Sequence, residues 1–465
     1  MQLSLWIFQN DRLYSSCTVN RRGTAMDIER SIFQDLVKWK NSPFRKPLIL
    51  RGVRQCGKTW ILKEFGRREF EDLVYLNFEK DSNLASFFDG AYDPTIILTN
   101  LSAYARKTIV PGKTLLIFDE IQTCPRALNS LKYFCEESPE IVIASAGSLL
   151  GLSLASPEGF PVGKVDFLQL YPCTFKEYLH AVDPMLGDYV QNVQLQPIPE
   201  AFTERLEGYL REYLAFGGMP AVVSAFLQSH DIERAEQELE AILVAYESDF
   251  SKHVPIKDVP KLYLLWNAIP RQFAKENDKF IYGEVRTGAR AKDFEDALQW
   301  LSNASMVHYV HQVETPEQPL RANENRKNFK LYVADVGVLR RLAGLAPSLL
   351  LNKQDIFADF KGHLAENYVL QQLCAMKISP VCYWMNSGGR AEVDFLIQHD
   401  DTVIPIETKS GLNLKAQSLK LYREKYRPPL AVRTSMQNLR LDNGLLNIPL
   451  YLLGELPRLI RLVKE

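Results

Sequence analysis

The chain has 465 residues, of which 46% are hydrophobic and 24% are charged, and this composition and length fit an ordinary soluble protein of two to four domains. Its 55 basic and 56 acidic residues give a net charge of -1, which excludes a chain-wide attraction to nucleic acid or to a membrane surface. Apolar runs stay well short of the roughly 20 residues of a membrane-spanning helix. The seven cysteines are scattered without a CxxC pair, which indicates a reducing compartment. We therefore expect a cytoplasmic protein that makes no use of a membrane.

The N-terminal segment allows two interpretations. Residues 1–25 show no clear amphipathic pattern, whereas a helical pattern begins directly after Met26 and runs to residue 40. Either Met26 is the natural start of the protein, or residues 1–25 are an extension.

Five apolar runs between residues 46 and 180 alternate with polar or helix-periodic stretches. This alternation predicts parallel strands joined by helices, because strands covered on both faces read as continuous apolar runs. We expect one α/β domain over residues 26–195. The runs are PLILRG, LVYLNF, TLLIFDE, EIVIASAG and VDFLQL.

The remaining chain divides into three predicted parts. Residues 196–265 are rich in helical patterns and predict a lid or connecting domain. Residues 266–350 show the order helix, turn, helix and strand that is found in winged-helix domains, and residues 317–328 within them predict a mobile loop. Residues 351–465 show a helix, three strands and another helix, which predicts a second α/β domain.

The sequence from Gly52 to Thr59, GVRQCGKT, satisfies the P-loop pattern directly after one predicted strand and directly before a helix. Glycines such as Gly52 and Gly57 let the backbone N–H groups turn toward phosphates, and the following helix adds about half a positive charge at its N-terminus. Lys58 is expected to reach the β and γ phosphates of ATP, and the Thr59 hydroxyl is expected to bind magnesium. The sequence therefore predicts a site for ATP and magnesium.

Two carboxylates end the buried strand TLLIFDE about sixty residues later, as in a Walker B element. We expect Asp119 to orient magnesium and Glu120 to position or deprotonate the attacking water, because phosphoryl transfer depends mainly on placement and charge stabilisation. The next strand ends before Ser148, which is either a sensor of the γ phosphate or a plain loop residue.

Successive segments of the chain resemble the AAA-like ATPases of bacteria and archaea, many of which carry a C-terminal domain of unknown function. The resemblance covers about residues 26–430 and rests on DEIQTCPRALNSLKYF, AGSLLG, VDFLQLYPCTFKEYL and AFGGMPAVV. It implies a P-loop AAA-like ATPase domain with a helical lid, a winged helix and a C-terminal α/β domain like a restriction endonuclease.

Members of this family often carry a Gly-Arg pair that is able to act as an arginine finger, and this chain has Gly163 and Lys164 at that place. Lysine lacks the planar fork of arginine, so the departure puts a transition-state role of this position in doubt. Arg126 and Arg211 are alternatives, although an ordinary surface or ion-paired role explains each of them more simply.

Three basic residues, Arg286, Arg290 and Lys292, cluster before the helix that would be the recognition helix of the winged-helix segment. Such cations neutralise phosphates and so favour DNA contact. Acidic residues follow directly (Asp293, Glu295 and Asp296), and they favour the other use of winged helices, which is contact with protein.

Four residues near the C-terminus follow the order of the PD-(D/E)xK nucleases. Glu366 lies on a predicted helix, Asp394 on a strand, and Glu407 and Lys409 on the next strand. Converging carboxylates bind the magnesium that generates hydroxide, and a lysine beside them steadies the water or the phosphate. Four neighbouring polar residues either support the site or belong to the core or surface: Tyr368, Gln371, Gln372 and Ser410.

These features predict an ATP-hydrolysing protein that acts on DNA or RNA through a metal-dependent nuclease-like domain. The alternative is an ATP-dependent conformational or assembly switch, in which the C-terminal domain recognises a partner without catalysis. A homo-oligomer is compatible with both hypotheses.

Overall fold

A computed structural model describes residues 28–464 except for 91, 148–159, 255, 275–278, 353–357, 387–390 and 410–416. Residues 1–25, Ser148 and Ser410 therefore lie outside the described residues.

The N-terminal part is built around a parallel sheet of five strands in the order β2-β3-β4-β1-β5. This arrangement confirms the predicted alternation of strands and helices. The strands are β1 (Leu48–Arg51), β2 (Asp72–Asn77), β3 (Thr114–Asp119), β4 (Val142–Ala146) and β5 (Asp166–Gln169). The helices that precede or join them are α1 (Ile32–Lys40), α2 (Lys58–Glu69), α3 (Pro94–Ala105) and α4 (Pro125–Glu137).

Both faces of this sheet are covered, as the continuous apolar runs require. In β3, Leu115 and Ile117 belong to one hydrophobic core, whereas Leu116 and Phe118 belong to a second core on the other face. Successive side chains of a strand point to opposite faces, so one strand contributes to both cores. The carboxyl end of β3 is thereby fixed between two packed layers.

A helical segment follows the sheet, in agreement with the predicted helix-rich residues 196–265. Its helices are α5 (Phe175–Val182), α6 (Pro184–Gln191), α7 (Glu200–Phe216), α8 (Pro220–Ser229), α9 (Ile232–His253) and α10 (Val259–Ala274). No helix of the described residues is both long enough and apolar enough to cross a bilayer.

A second sheet of eight strands begins before the predicted C-terminal domain. A short helix, α11 (Tyr282–Val285), and a longer one, α12 (Ala291–Asn303), lead into the hairpin of β6 (Val307–Val313) and β7 (Glu324–Val333). This hairpin pairs through β6 with β8 and so forms one edge of the larger sheet. The sheet therefore crosses residue 350, where we predict a domain boundary.

The predicted mobile loop at residues 317–328 is wrong in part. Residues Leu320–Asn323 form a 3-10 helix, and β7 begins at Glu324. Strand β7 forms here because its polar residues pair across the hairpin, with Asn325 opposite Gln312 and Glu324 opposite Val313. A polar edge strand of this kind lacks the apolar alternation that reveals strands in sequence.

The C-terminal part completes the eight-stranded sheet, whose order is β12-β13-β11-β10-β9-β8-β6-β7. The helices and strands predicted there are present. Its helices are α13 (Val336–Leu342), α14 (Ser348–Leu351), α15 (Ala358–Ala375), α16 (Gln417–Tyr426) and α17 (Leu456–Lys464). Its strands are β8 (Val381–Met385), β9 (Glu392–His399), β10 (Thr402–Thr408), β11 (Ala431–Ser435), β12 (Arg440–Asp442) and β13 (Leu445–Pro449).

The two sheets are joined through a tightly packed turn between α7 and α8. A Cβ atom on Gly218 would lie 2.0 Å from the carbonyl oxygen of Cys173 and 2.7 Å from the hydroxyl of Tyr213. The Gly218 N–H also donates a hydrogen bond of 2.7 Å to the buried carboxylate of Asp335. Glycine in the AFGGMP segment therefore lets the backbone of this turn approach the backbone at Cys173 closely.

We expect Gly218→Ala to destabilise the protein by about 1–3 kcal/mol, because the added methyl group must displace a backbone carbonyl. Gly208→Ala is the matched control, since a Cβ at this mid-helix position meets no atom within 4 Å and should stabilise the helix by about 0.5–1 kcal/mol. The apparent midpoints of urea unfolding measure both effects. Equal midpoints for the two variants would contradict the packing argument.

Candidate functional site

The P-loop connects β1 to α2 in a conformation that depends on glycine. Gly57 has a φ angle of +94°, and a Cβ on Gly52 would lie only 2.4 Å from the carbonyl oxygen of Leu170. The loop therefore curls closely against the residues after β5 and brings its N–H groups to the N-terminus of α2. An anion is stabilised in such a place by the helix dipole and by the free N–H groups.

The predicted ATP and magnesium ligands lie together at this loop. Lys58 Nζ donates to the carbonyl oxygens of Gly52 at 2.9 Å and Val53 at 3.1 Å. The Thr59 hydroxyl donates to Asp119 Oδ2 at 3.0 Å, so the hydroxyl and the carboxylate meet at one point. Oxygen donors of this kind suit magnesium, and the residues present fit the metal that accompanies ATP.

Two residues that we missed in the sequence also hold Asp119. Tyr75 donates to Asp119 Oδ2 at 2.7 Å, and Asn77 Nδ2 donates to it at 3.2 Å. Burial and the hydrogen bond to Asp119 raise the pKa of Tyr75 to about 12. Both residues lie on β2, directly beside β3 in the sheet. If the predicted strands LVYLNF and TLLIFDE are paired side by side in parallel, Tyr75 and Asn77 lie near Asp119.

Glu120 follows Asp119 with a φ angle of +51°, which turns its side chain away from the strand direction. Its carboxylate accepts a hydrogen bond from Gln122. Glu120 and Lys58 line one cleft of about 710 Å³, including space open to solvent. The other lining residues are Arg54, Glu79, Gln122, Thr123, Tyr246, Asp249, Trp300, Ala304 and Met306.

The far wall of this cleft comes from helices that lie far along the chain. Asp249 on α9 forms an ion pair with Arg54 of the P-loop, and the Tyr246 hydroxyl donates to the Arg54 carbonyl oxygen at 3.1 Å. Trp300 of α12 packs edge-on against Phe250 of α9, with ring centroids 5.5 Å apart. No local sequence signal pointed to these residues.

The three candidates for an arginine finger are already held by ion pairs or by backbone carbonyl oxygens. Lys164 precedes β5 at the amino end of the parallel strands, opposite the P-loop, and pairs with Glu136 at 2.8 Å. Arg126 donates to the carbonyl oxygens of Phe88 and Gly90 at 2.7 and 2.6 Å. Arg211 pairs with Glu207 at 3.5 Å within α7.

The predicted nuclease-like residues come together on α15, β9 and β10. Thr408 N–H donates to Asp394 Oδ2 at 2.6 Å, and Lys409 Nζ pairs with Glu407 Oε1 at 2.8 Å. Glu407 is 4% exposed, and its Oε2 atom is buried with no hydrogen-bond partner among the described residues. Burial, followed by the charges of Glu407 and Glu366, raises the pKa of Asp394 well above its usual range.

Lys330 of β7 also belongs to this group, which we call the acidic cluster (Lys330, Glu366, Glu392, Asp394, Glu407 and Lys409). Lys330 Nζ forms an ion pair with the carboxylate of Glu392. Burial alone would lower the pKa of Lys330, but Glu392, Glu366 and Asp394 hold it above its usual value. Conversely, burial would raise the pKa of Glu366, but Lys330 and the hydrogen-bonding neighbours lower it to about 2.

A smaller cleft of about 340 Å³ leads to Glu366 and is lined by residues of α10, β7, α15 and the segment that precedes α11. Tyr332 on β7 donates to Glu366 Oε2 at 3.1 Å, and His363 Nδ1 lies 3.7 Å from Glu366 Oε1. In the part of the chain that the structure describes, no three His, Cys, Asp or Glu side chains lie close enough to hold a metal ion. Metal binding by Glu366, Asp394 and Glu407 stays a prediction.

Three polar residues that follow Glu366 on α15 face the junction between the sheets. Tyr368 donates to the Leu450 carbonyl oxygen at 3.0 Å, Gln371 donates to Asp335 at 3.0 Å, and Gln372 accepts from Phe175 N–H at 3.2 Å. All three are buried. They form interior hydrogen bonds rather than contacts with the acidic cluster.

The three basic residues near α12 are exposed: Arg286, Arg290 and Lys292. The backbone N–H of Arg290 donates to the Asp293 carboxylate at 3.0 Å, so this acid caps the helix. The cations therefore remain accessible beside the helix N-terminus, with one neighbouring acid engaged in helix capping.

Three regions of the chain match known families. Residues 44–179 match the AAA domain, residues 207–349 match a domain of unknown function (DUF8612), and residues 361–453 match another (DUF4143). The first match covers the five-stranded sheet with its P-loop. This part of the chain is a P-loop AAA-like ATPase domain.

Individual relatives are distant. An uncharacterized protein of Haemophilus influenzae is 27% identical over 213 residues, which are 43% of this chain and 46% of that protein. This chain thus matches about half the length of that curated relative. The Walker-type ATPase Paby2304 of Pyrococcus abyssi is 15% identical with a TM-score of 0.42, covering 71% of this chain and 99% of that one. The Orc1 protein of Aeropyrum pernix, solved in complex with DNA, is 11% identical with a TM-score of 0.28, covering 67% and 90%.

We expect Lys330→Met to destabilise the protein by roughly 3 kcal/mol, because it leaves the mostly buried carboxylate of Glu366 without its cation. The loss should be larger at pH 8 than at pH 5. Lys330 lowers the pKa of Glu366, so without Lys330 this pKa rises, and the folded state is penalised at high pH and relieved as the acid becomes protonated.

Thermal unfolding at the two pH values measures this difference. Lys327→Met, which removes an exposed lysine from the same strand, is the control and should have little effect at either pH. An effect of Lys330→Met that is equal at pH 5 and pH 8 would rule out the charge compensation described here.

Proposed function

We propose that the chain binds ATP with magnesium at the P-loop and hydrolyses it. The observation that carries this proposal is the contact of Thr59 with Asp119, beside Lys58 and the curled P-loop. Magnesium, when bound, neutralises charge on the β and γ phosphates. The P-loop N–H groups and Lys58 hold the phosphates, Tyr75 and Asn77 orient Asp119, and Glu120 positions the attacking water.

Lys58→Ala should abolish tight ATP binding, because the phosphates lose their cation in the P-loop. Glu120→Gln should preserve binding but reduce kcat by about a hundredfold or more, because the amide is not a base. Equilibrium titration with a fluorescent ATP analogue and a phosphate-release assay separate the two effects. If both variants hydrolyse ATP as fast as the wild type does, the proposed mechanism is wrong.

The second part of the proposal assigns metal-dependent cleavage of DNA or RNA to the acidic cluster. It is supported by the order and proximity of Asp394, Glu407 and Lys409, and by the unpartnered buried oxygen of Glu407. A buried carboxylate oxygen without a donor is costly, and a bound cation would satisfy it. The exposed Arg286, Arg290 and Lys292 are the proposed contacts with nucleic-acid phosphates.

The alternative is an ATP-dependent conformational or assembly switch, in which the C-terminal domain recognises a partner or a second copy of the chain without catalysis. One specific observation favours it. Lys330 and Lys409 already compensate much of the negative charge of the cluster, which reduces its attraction for a divalent cation.

A cleavage assay decides between these two hypotheses. We expect magnesium- or manganese-dependent cleavage of single- or double-stranded DNA or RNA by the wild type, with and without ATP, and loss of cleavage in Glu407→Ala and Lys409→Ala. Glu424→Ala, an exposed acid on α16, is the control. Absence of cleavage by protein that hydrolyses ATP would favour the switch.

A further inference from the structure

The cleft beside Glu120 has two basic side chains among its described lining residues, Lys58 and Arg54. Lys58 Nζ is held by two carbonyl oxygens of the P-loop, as described above. Arg54 belongs to the P-loop itself, yet its side chain is 45% exposed in the cleft. Arg54 thus brings a guanidinium group to the cleft beside Lys58 and Glu120, whereas Lys164, Arg126 and Arg211 are not among the described lining residues.

The backbone of Arg54 is anchored, whereas its side chain has a partner that can be exchanged. Tyr246, 2% exposed, fixes the Arg54 carbonyl oxygen. The guanidinium pairs with Asp249 at the end of α9, which is 8% exposed. Rotation of the side chain about its own bonds can release the guanidinium from Asp249 into the cleft without movement of the anchored loop backbone.

We propose that Arg54 contacts the γ phosphate during hydrolysis and acts as an arginine finger supplied by the same chain, and that Asp249 is a positioning residue that competes for its guanidinium. This inference rests on the proposed ATP hydrolysis. The position of α9 would then set the rate of turnover, because it decides how much of the time Arg54 is available to the phosphate.

The reaction balances with the residues at hand. The oxygen of water forms a bond to the γ phosphorus, and the bond from this phosphorus to the β–γ bridging oxygen breaks. The electron pair of that bond goes to ADP, and the proton of the water passes to Glu120 and then to solvent. Arg54 stabilises the negative charge on the γ-phosphoryl and bridging oxygens, and its planar fork donates two hydrogen bonds where lysine offers a point charge.

Four variants test the proposal in the full chain: Arg54→Ala, Arg54→Lys, Asp249→Asn and the double variant Arg54→Ala with Asp249→Asn. The control is Arg67→Ala, which removes an exposed arginine from α2. The measurements are kcat, KM, the affinity for ADP, and the affinity for ADP with aluminium fluoride, which mimics the phosphoryl group in transfer. Thermal unfolding shows whether each variant is folded.

We expect Arg54→Ala to lower kcat by about a hundredfold or more while the affinity for ADP changes little, because the lost contact exists mainly in the transition state. In this variant, the affinity for ADP with aluminium fluoride should be no higher than the affinity for ADP alone. Arg54→Lys should recover only a small part of the rate. Asp249→Asn should equal or exceed the wild-type kcat, and the double variant should be no slower than Arg54→Ala.

Several results would overturn the inference. A kcat of Arg54→Ala within threefold of the wild type, or unchanged stabilisation by aluminium fluoride, would show that Arg54 does not contact the phosphoryl group. A loss of kcat in Asp249→Asn as large as that in Arg54→Ala would give the ion pair a structural role instead. Hydrolysis that requires Lys58 but not Arg54 refutes this inference alone, whereas a wild type that does not hydrolyse ATP refutes the proposed function as well.

Discussion

The buried carboxylate of Asp335 is the interaction on which the arrangement of the two sheets depends. It is 1% exposed and accepts hydrogen bonds from Gly218, Gly337 and Val338 N–H groups at 2.7, 3.0 and 3.1 Å, and from Gln371 at 3.0 Å. Burial raises the pKa of Asp335, and these donors oppose that shift. Removing such a carboxylate would leave several buried donors unsatisfied, which costs far more than an exposed contact. One side chain thereby joins the α7–α8 turn, α13 and α15.

The same junction continues to the P-loop through a second buried group. Arg30 donates to Glu177 at 3.1 Å and to the carbonyl oxygens of Cys56 and Tyr171 at 3.3 and 2.6 Å. Glu177 also caps α5, whose first residue, Phe175, donates to Gln372 on α15. Because α15 carries Glu366 as well, these hydrogen bonds connect the P-loop with the helix that bears one member of the acidic cluster. The polar residues of α15 are therefore explained by this connection rather than by the chemistry of either site.

Local patterns predicted those parts of the structure that depend on neighbouring residues. The P-loop, the strand ending in Asp119 and Glu120, and the carboxylates on α15, β9 and β10 could all be found from short segments and their order. Three other features could not be found in this way: the pairing of Arg54 with Asp249, the pairing of Lys330 with Glu392 and the start of β7 at Glu324. They depend on contacts between residues that are 195, 62 and 11 positions apart, and no periodic pattern marks these contacts in the sequence. The charge at each site depends on these distant contacts, so the sequence predicts which residues lie together at each site better than it predicts their electrostatic state.

Both candidate sites receive a charged residue from the segment that lies between the flanking domains. Residues 207–349 supply Asp249 and Trp300 to the nucleotide cleft, and Lys330 and Tyr332 to the acidic cluster. Helix α12 carries Trp300 and runs almost directly into β6, the strand that pairs with β7 and so with Lys330. A shift of this segment toward or away from the P-loop would change the partner of Arg54 and the compensation of Glu366 together. Since each effect is electrostatic at short range, a displacement of this segment would alter both sites, and under the proposed function it would couple ATP turnover to the state of the C-terminal domain.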